Sequence, residues 1–266
     1  MLLKWIFKNK YKLMAIIIGL YLVADIVQHK GQARVLVPRT FISYKVDTSG
    51  PENEHGIINK GKAWIKAVNT KELLANVDVK TSGIECDVYF NPGKNIFEIH
   101  HDADKPTGFI LNDLLDDYLK MKLQASIWLD FKNLDDSNCH AAVSALTVLR
   151  NQYGLREKIL VESGRADLLP LFSDASFFTS YYIPLFNPYL ISDDETKHWV
   201  DSISSVLTRS KVNALSGYYF QYPFLHNYFP VYPLLTWADN DRFSLVNWLF
   251  KRKVASAKEV FIILYP

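Results

Sequence analysis

ASIWLDFKNLDDSNCHAAVSALTVLRNQYGLREKILVES, residues 125–163, holds two short apolar runs, ASIWLDF (125–131) and KILVES (158–163), on either side of a segment with helical periodicity. The intervening stretch, 136–153, repeats apolar residues at three- and four-residue spacing, and Gly154 is a suitable stop for a helix. Asp136 and Ser137 stand where an N-cap is expected. A strand, a helix and a second strand in about forty residues make a βαβ unit, which calls for a parallel sheet.

The same pattern extends in both directions. Apolar or β-branched runs occur at KAWIKAVN (62–69), GIECDVYF (83–90), SFFTSYYI (176–183), NALSGYYF (213–220), VYPLLTW (231–237) and EVFIIL (259–264), with helix-like segments at 111–122, 193–207 and 241–249. Eight strands alternating with helices predict an α/β fold of the TIM-type (β/α)8 barrel, with a doubly wound open sheet as the alternative. No GxGxxG or GxxxxGK[ST] is present to favour a nucleotide-binding open sheet.

The N-terminus has its own character. Lys4, Lys8, Lys10 and Lys12 precede LMAIIIGLYLVA (13–24), the charged-then-apolar order of a signal peptide or signal anchor. Leu22 before Ala24 is a poor cleavage site. Residues 1–29 therefore read as an uncleaved signal anchor, 30–59 as a tether with one strand-like piece at ARVLV (33–37), and 60–266 as the barrel. The lysine-rich end belongs in the cytoplasm, which puts the barrel on the periplasmic or extracytoplasmic side of the membrane. A formal net charge of +2 over 266 residues argues against a nucleic-acid partner. Two cysteines, Cys86 and Cys139, exclude a disulfide framework and a thiolate zinc site.

In a TIM barrel, chemistry collects at the C-terminal ends of strands. Glu85 and Asp87 alternate with Cys86, so both acids share one face of their strand. Like charges held so close call for a proton or a cation, unless the strand is an edge with solvated acids. His100, His101 and Asp102 follow. Asp130 and Lys132 share a face at the end of the next strand, Glu162 ends the one after, and Trp237 and Asp239 lie at the end of the seventh. Each also has a plain structural explanation: Asp130 as a helix cap, Lys132 as a solvated side chain, Glu162 as a partner of Arg165. The aromatic stretches 177–190 and 218–233 suit either a pocket wall, an apolar lip or core packing.

GIECDVYFNPGKNIFEIHHDADKPTG (83–108) resembles the glycerophosphodiester phosphodiesterase pattern, a strand with E-x-D leading to a His-Asp pair and a Thr-Gly before a Leu-rich helix. LDFK (129–132) is similar to the later E-x-K of that family, with Asp130 in place of Glu, and TWADND (236–241) to its W-T-x-N-D stretch. AWIKAVNTKELL (63–74) and LDFKNL (129–134) resemble the menorin-type family of the same phospholipase-C-like superfamily.

The resemblance implies a metal-dependent phosphodiesterase acting on glycerophosphodiester-like or related headgroups at a membrane surface. Glu85, Asp87 and Asp130 would bind one divalent cation, Ca²⁺ or Mg²⁺, and His101 would be the general acid or base. Lys132 would hold a phosphate oxygen. The first strand departs from the pattern, because Lys66 stands before Ala67 where the relatives carry histidine. His55 or Lys66 is left to serve as the second proton-transfer group. Without either, the chain would be a catalytically degenerate barrel that binds a phosphorylated glycan or lipid. A glycosidase on the same barrel is excluded by the closeness of the two acids along one strand.

Overall fold

The structure, a computed structural model, describes residues 2–37, 39–46, 50–51, 56–238 and 241–266, with side chains from residue 9 onward. Eight parallel strands close into a barrel: β1 (Ala63–Ile65), β2 (Gly83–Asn91), β4 (Ser126–Phe131), β5 (Ile159–Ser163), β6 (Phe178–Tyr182), β7 (Ala214–Ser216), β8 (Leu234–Trp237) and β9 (Val260–Tyr265). Closure comes from β1, which pairs with β9 on one side and β2 on the other. The open-sheet alternative is thereby excluded. All eight expected runs are strands, trimmed where the backbone turns: KAWIKAVN stops at Ile65 because Ala67 takes a positive φ of 57°.

β3 (Ile96–Ile99) is an addition the strand count did not anticipate. It folds back antiparallel on the far half of β2, pairing Val88 with Ile99 and Asn91 with Ile96. The reason is length. β2 has nine residues and β1 three, so the outer half of β2 extends past its β1 partner, and β3 satisfies the exposed edge. The signal was present as NPGKN, a turn between two apolar runs.

The helices outside the barrel include α4 (Leu111–Lys120), α5 (Cys139–Gln152), α7 (Asp193–Ser210) and α9 (Leu245–Ser256) at the predicted places, and the shorter α3 (Lys71–Ala75), α6 (Leu169–Asp174) and α8 (Tyr222–Tyr228) that were not predicted. α5 begins later than expected. Asp135, rather than Asp136 or Ser137, turns the chain into it, its carboxylate accepting from the N–H groups of Ser137 and Asn138 at 2.8 and 3.0 Å. α7 opens with a reciprocal Ser192–Glu195 capping box.

Strand alternation divides the core in two. Ile84, Cys86, Val88, Ile127, Leu129 and Val161 face the helices. Trp64, Trp128, Leu160, Phe178, Ala214, Leu235, Ile262 and Leu264 fill the lower barrel interior. Trp64 and Trp128 meet edge to face at 6.5 Å, and Trp64 Nε1 is held by Asn59 Oδ1 at 3.2 Å and the Gly61 carbonyl at 3.1 Å. Gly83 admits this plug, because a Cβ there would lie 2.0 Å from the Trp64 ring.

At the N-terminus, α1 (Leu2–Gln28) contains a 20-residue stretch, Asn9–Gln28, long and apolar enough to cross a membrane, a property shared with signal sequences. The strand-like reading of ARVLV is corrected: residues Lys30–Leu36 form α2. Its buried Gln32 and Val35 pack toward α9, and Lys253 Nζ bonds the Val35 carbonyl at 2.7 Å, so local β-propensity yields to a helix-on-helix contact.

Gly83→Ala should lower stability by about 3 kcal/mol, because the Trp64 ring has no room to retreat within the closed barrel. A denaturant midpoint within error of wild type would show that the plug is dispensable.

Candidate active site

Register places the acids before any side chain is considered. Asp87 lies beside Asp130, Asp130 beside Glu162, and Glu162 beside Ser180, on four neighbouring strands at one level. All face inward, above the Trp64–Trp128 plug, while Glu85 sits one level deeper opposite Trp128. The four acids line a cavity of about 230 Å³ with Lys66, His101, Lys132, Tyr182, Tyr218 and Trp237. The structure thus gathers six of the seven sequence-predicted site residues: Lys66, Glu85, Asp87, His101, Asp130 and Lys132. The seventh, His55, lies outside the described residues, as does Asp239.

The edge-strand explanation fails, because Glu85 and Asp87 are each 3% exposed. Backbone geometry holds them. After β1 the chain turns at Ala67, whose N–H donates to Glu85 Oε2 at 2.7 Å. Two residues on, Asn69 grips Asp87 twice: its Nδ2 donates to Oδ2 at 2.5 Å, and its Oδ1 accepts from the Asp87 N–H at 2.9 Å. Sequence reading overlooked Asn69, whose one signal was its place at the end of the first strand. The Lys132 ammonium bonds Asp87 Oδ1 at 2.7 Å and also pairs with Asp130, so it is tied to the acids although its side chain still reaches solvent. Nor does Arg165 pair with Glu162; its guanidinium bonds Asp167 and Asp136.

Electrostatics follow from this crowding. Burial, reinforced by the Asp87 charge, pushes the Glu85 carboxyl up to about 8. Burial raises Asp130 as well, against the pull of Lys132, and drives Glu162 well above the carboxylate range with help from Asp130. Burial opposes the charge on Lys132, but the carboxylates of Asp130 and Asp87 outweigh it and hold the ammonium protonated. Three buried polar atoms around the cavity, Trp128 Nε1, Glu162 Oε2 and Ser180 Oγ, have no protein partner. The site is built to receive something that supplies positive charge and hydrogen bonds.

The histidines divide as strand alternation suggests. His100 is buried, stacked on Tyr89 at 4.2 Å, with Nδ1 at 2.8 Å from the Asp102 carbonyl. His101 is exposed at the cavity rim, its Nδ1 at 2.8 Å from Asp102 Oδ1. The Lys105 ammonium and His101 hold the Asp102 carboxyl down at about 2, so it stays ionised and can orient the imidazole. Lys66 Nζ lies 5.5 Å from the Trp237 ring centre, over its face.

One oxygen from each of Glu85, Asp87 and Asp130 lies within 4.8 Å of the others. Three hard oxygens in a buried, over-acidic cluster fit a divalent cation such as Ca²⁺ or Mg²⁺, and leave no basis for a thiophilic metal.

No protein-family model matches the sequence, and no curated protein matches it significantly. The fold, however, is shared with solved phosphodiesterases. A Silicibacter pomeroyi protein provisionally assigned as a glycerophosphoryl diester phosphodiesterase is similar at a TM-score of 0.56 and 12% identity, over 82% of this chain and 94% of that one. A glycerophosphodiester phosphodiesterase from Parabacteroides distasonis gives 0.52 and 15%, over 78% and 93%. An Oleispira antarctica phosphodiesterase, solved with its product sn-glycerol-3-phosphate, gives 0.51 and 12%, over 77% and 92%. The chain has the barrel fold of these phosphodiesterases.

The raised Glu85 carboxyl makes stability depend on pH. The folded state keeps this proton to about pH 8 and the unfolded chain loses it near 4.5, so the metal-free protein is most favoured below the lower value and loses stability as pH rises between them. Thermal unfolding in chelator should show the midpoint falling from about pH 5 to about pH 8. Glu85→Gln, which can still accept from Ala67, should flatten that fall and be more stable than wild type at pH 8 by an amount on the order of a few kcal/mol. Parallel pH profiles for the two proteins would disprove the buried-proton account.

Proposed function

We propose that the protein is a phosphodiesterase that cleaves small phosphodiesters of the glycerophosphodiester type, at a membrane surface and with a divalent cation. The observation that carries this reading is the convergence of Glu85, Asp87, Asp130, Lys132, Lys66 and His101 on one cavity at the C-terminal end of a barrel. The matching folds of known phosphodiesterases support it.

Glu85, Asp87 and Asp130 would hold one Ca²⁺ or Mg²⁺ ion, which supplies positive charge against the charge that builds on the phosphate. Lys132 is fixed by two carboxylates and points a donor into the cavity, where it holds a phosphate oxygen. Lys66, at the end of β1 with its ammonium over the Trp237 ring, serves a second oxygen or takes part in proton transfer. His101, oriented by Asp102 at the rim, transfers the proton. A P–O ester bond breaks, a water or a neighbouring substrate hydroxyl forms the new P–O bond and loses its proton, and the departing alcohol gains one.

A second reading, a degenerate barrel that binds a phosphorylated glycan or lipid, is favoured by one observation: His101 is the single histidine lining the cavity among the described residues. Turnover decides between them. The full-length protein in detergent should hydrolyse bis(p-nitrophenyl) phosphate and glycerophosphodiesters with Ca²⁺ or Mg²⁺ and lose activity in chelator. His101→Ala and Asp130→Asn should each lower kcat by roughly a hundredfold or more. Cation binding by calorimetry without turnover of any phosphodiester would establish the binding-protein reading instead.

A further inference from the structure

The segment joining β8 to α9 lies at the catalytic end of the barrel, since β8 finishes at Trp237 and Trp237 lines the cavity. The base of α1 is seated on that segment. The Tyr21 hydroxyl donates to the Phe243 carbonyl, Asp25 accepts from the Val246 N–H at 3.0 Å, and His29 lies 3.2 Å from Ser244 Oγ and 3.3 Å from Asp241 Oδ2. Asp25 is 5% exposed in a helix whose other residues from 10 to 28 are almost all open to the surroundings. Its carboxylate serves the unpaired N–H groups at the start of α9, which explains an acid inside an apolar run. Such a charge is costly in hydrocarbon, so the membrane-entering part of α1 lies before it.

The surface beside Tyr21 is apolar too. Phe243 is 88% exposed, and Leu245, Trp248 and Leu249 lie outward on α9 while Val246, Phe250 and Val254 are buried. Arg252 follows one turn on, its guanidinium 4.8 Å from the Trp248 ring centre. An apolar and aromatic face ending in a cation is the composition of a helix lying in a membrane interface.

We propose that Phe243 and this face of α9 rest in the same bilayer that receives α1, turning the catalytic end of the barrel toward the membrane so that the cavity accepts a phosphodiester headgroup still attached to lipid. This rests on reading the cavity as a phosphodiester site and α1 as membrane-inserted.

Orientation can be measured without activity. The full-length protein carrying Phe243→Cys or Val79→Cys, labelled with an environment-sensitive dye, is placed in phosphatidylethanolamine–phosphatidylglycerol vesicles. Cys86 and Cys139 are buried, and Val79, which precedes β2, marks the opposite end at 56% exposure. The dye at position 243 should be shifted to the blue and quenched by spin-labelled lipid, and the dye at 79 should not. Equal water exposure at both positions, or quenching at 79 alone, overturns the proposal. In the same vesicles Phe243→Ser with Trp248→Ser should lower phospholipid turnover by about fivefold or more and leave soluble bis(p-nitrophenyl) phosphate hydrolysis unchanged. Equal loss on both substrates, or wild-type turnover of the soluble one alone, overturns the lipid substrate. Turnover of neither sinks the phosphodiester reading itself, and the dye positions then still decide the orientation.

Discussion

Carboxylates on adjacent parallel strands cannot avoid one another. A parallel ladder brings Asp87, Asp130 and Glu162 to the same level of a closed barrel, with Glu85 just below, and of these only Asp130 keeps appreciable exposure. Most of what surrounds the cavity answers this single constraint. Lys132 bridges two of the acids, Asn69 binds one from both sides, and the turn at Ala67 brings a backbone N–H to a third. What these contacts leave uncompensated is expressed as protons held on Glu85 and Glu162 at a pH where exposed carboxyls have lost theirs. Added positive charge would relieve the repulsion of a cluster so poised, which is what the proposed metal-assisted phosphoester site would use.

The rest of the barrel keeps that cluster in place. Below it, the indoles of Trp64 and Trp128 close the interior, and the absent side chain of Gly83 allows the first of them to enter. Above it, the β2–β3 hairpin raises the chain past the rim and delivers His100 and His101 in opposite directions, one into the packing against Tyr89 and the other to the cavity edge. The hairpin makes the second strand longer than its neighbours and puts the only cavity-lining histidine among the described residues on an extension rather than on the barrel wall. That placement suits the proposed proton-transfer role of His101 at the substrate's outer side, with Glu85, Asp87 and Asp130 on the barrel wall left to hold the proposed cation.

The N-terminal helix is tied to the same end of the molecule by a network of Tyr21, Asp25 and His29 with the β8–α9 connection. Asp25 is an acid inside an apolar run, and its bond to the start of α9 makes it a joint. Helix and barrel are therefore one body at that point, and the exposed apolar face of α9 lies beside the joint.

Alternation and turn chemistry were legible along the chain: eight strands, the inward pairing of Glu85 with Asp87 and of Asp130 with Lys132, and the burial of Cys86 all follow from a period of two and the hydrophobic pattern. Short elements were not. α3, α6 and α8 have five to seven residues, too few for periodicity to register, and α2 takes its form from packing on α9 rather than from ARVLV itself. The sequence by itself determined which residues face inward on each strand and hence the chemical character of the site, because side-chain alternation is local. Only the tertiary structure decided that Glu162 joins that site rather than pairing with Arg165, that Asn69 steadies it, and that Asp25 is a joint. The acid cluster and its Asn69 contacts depend on strand register and barrel closure, and the Asp25 joint on a contact across 221 residues, so a local reading of the chain does not contain them.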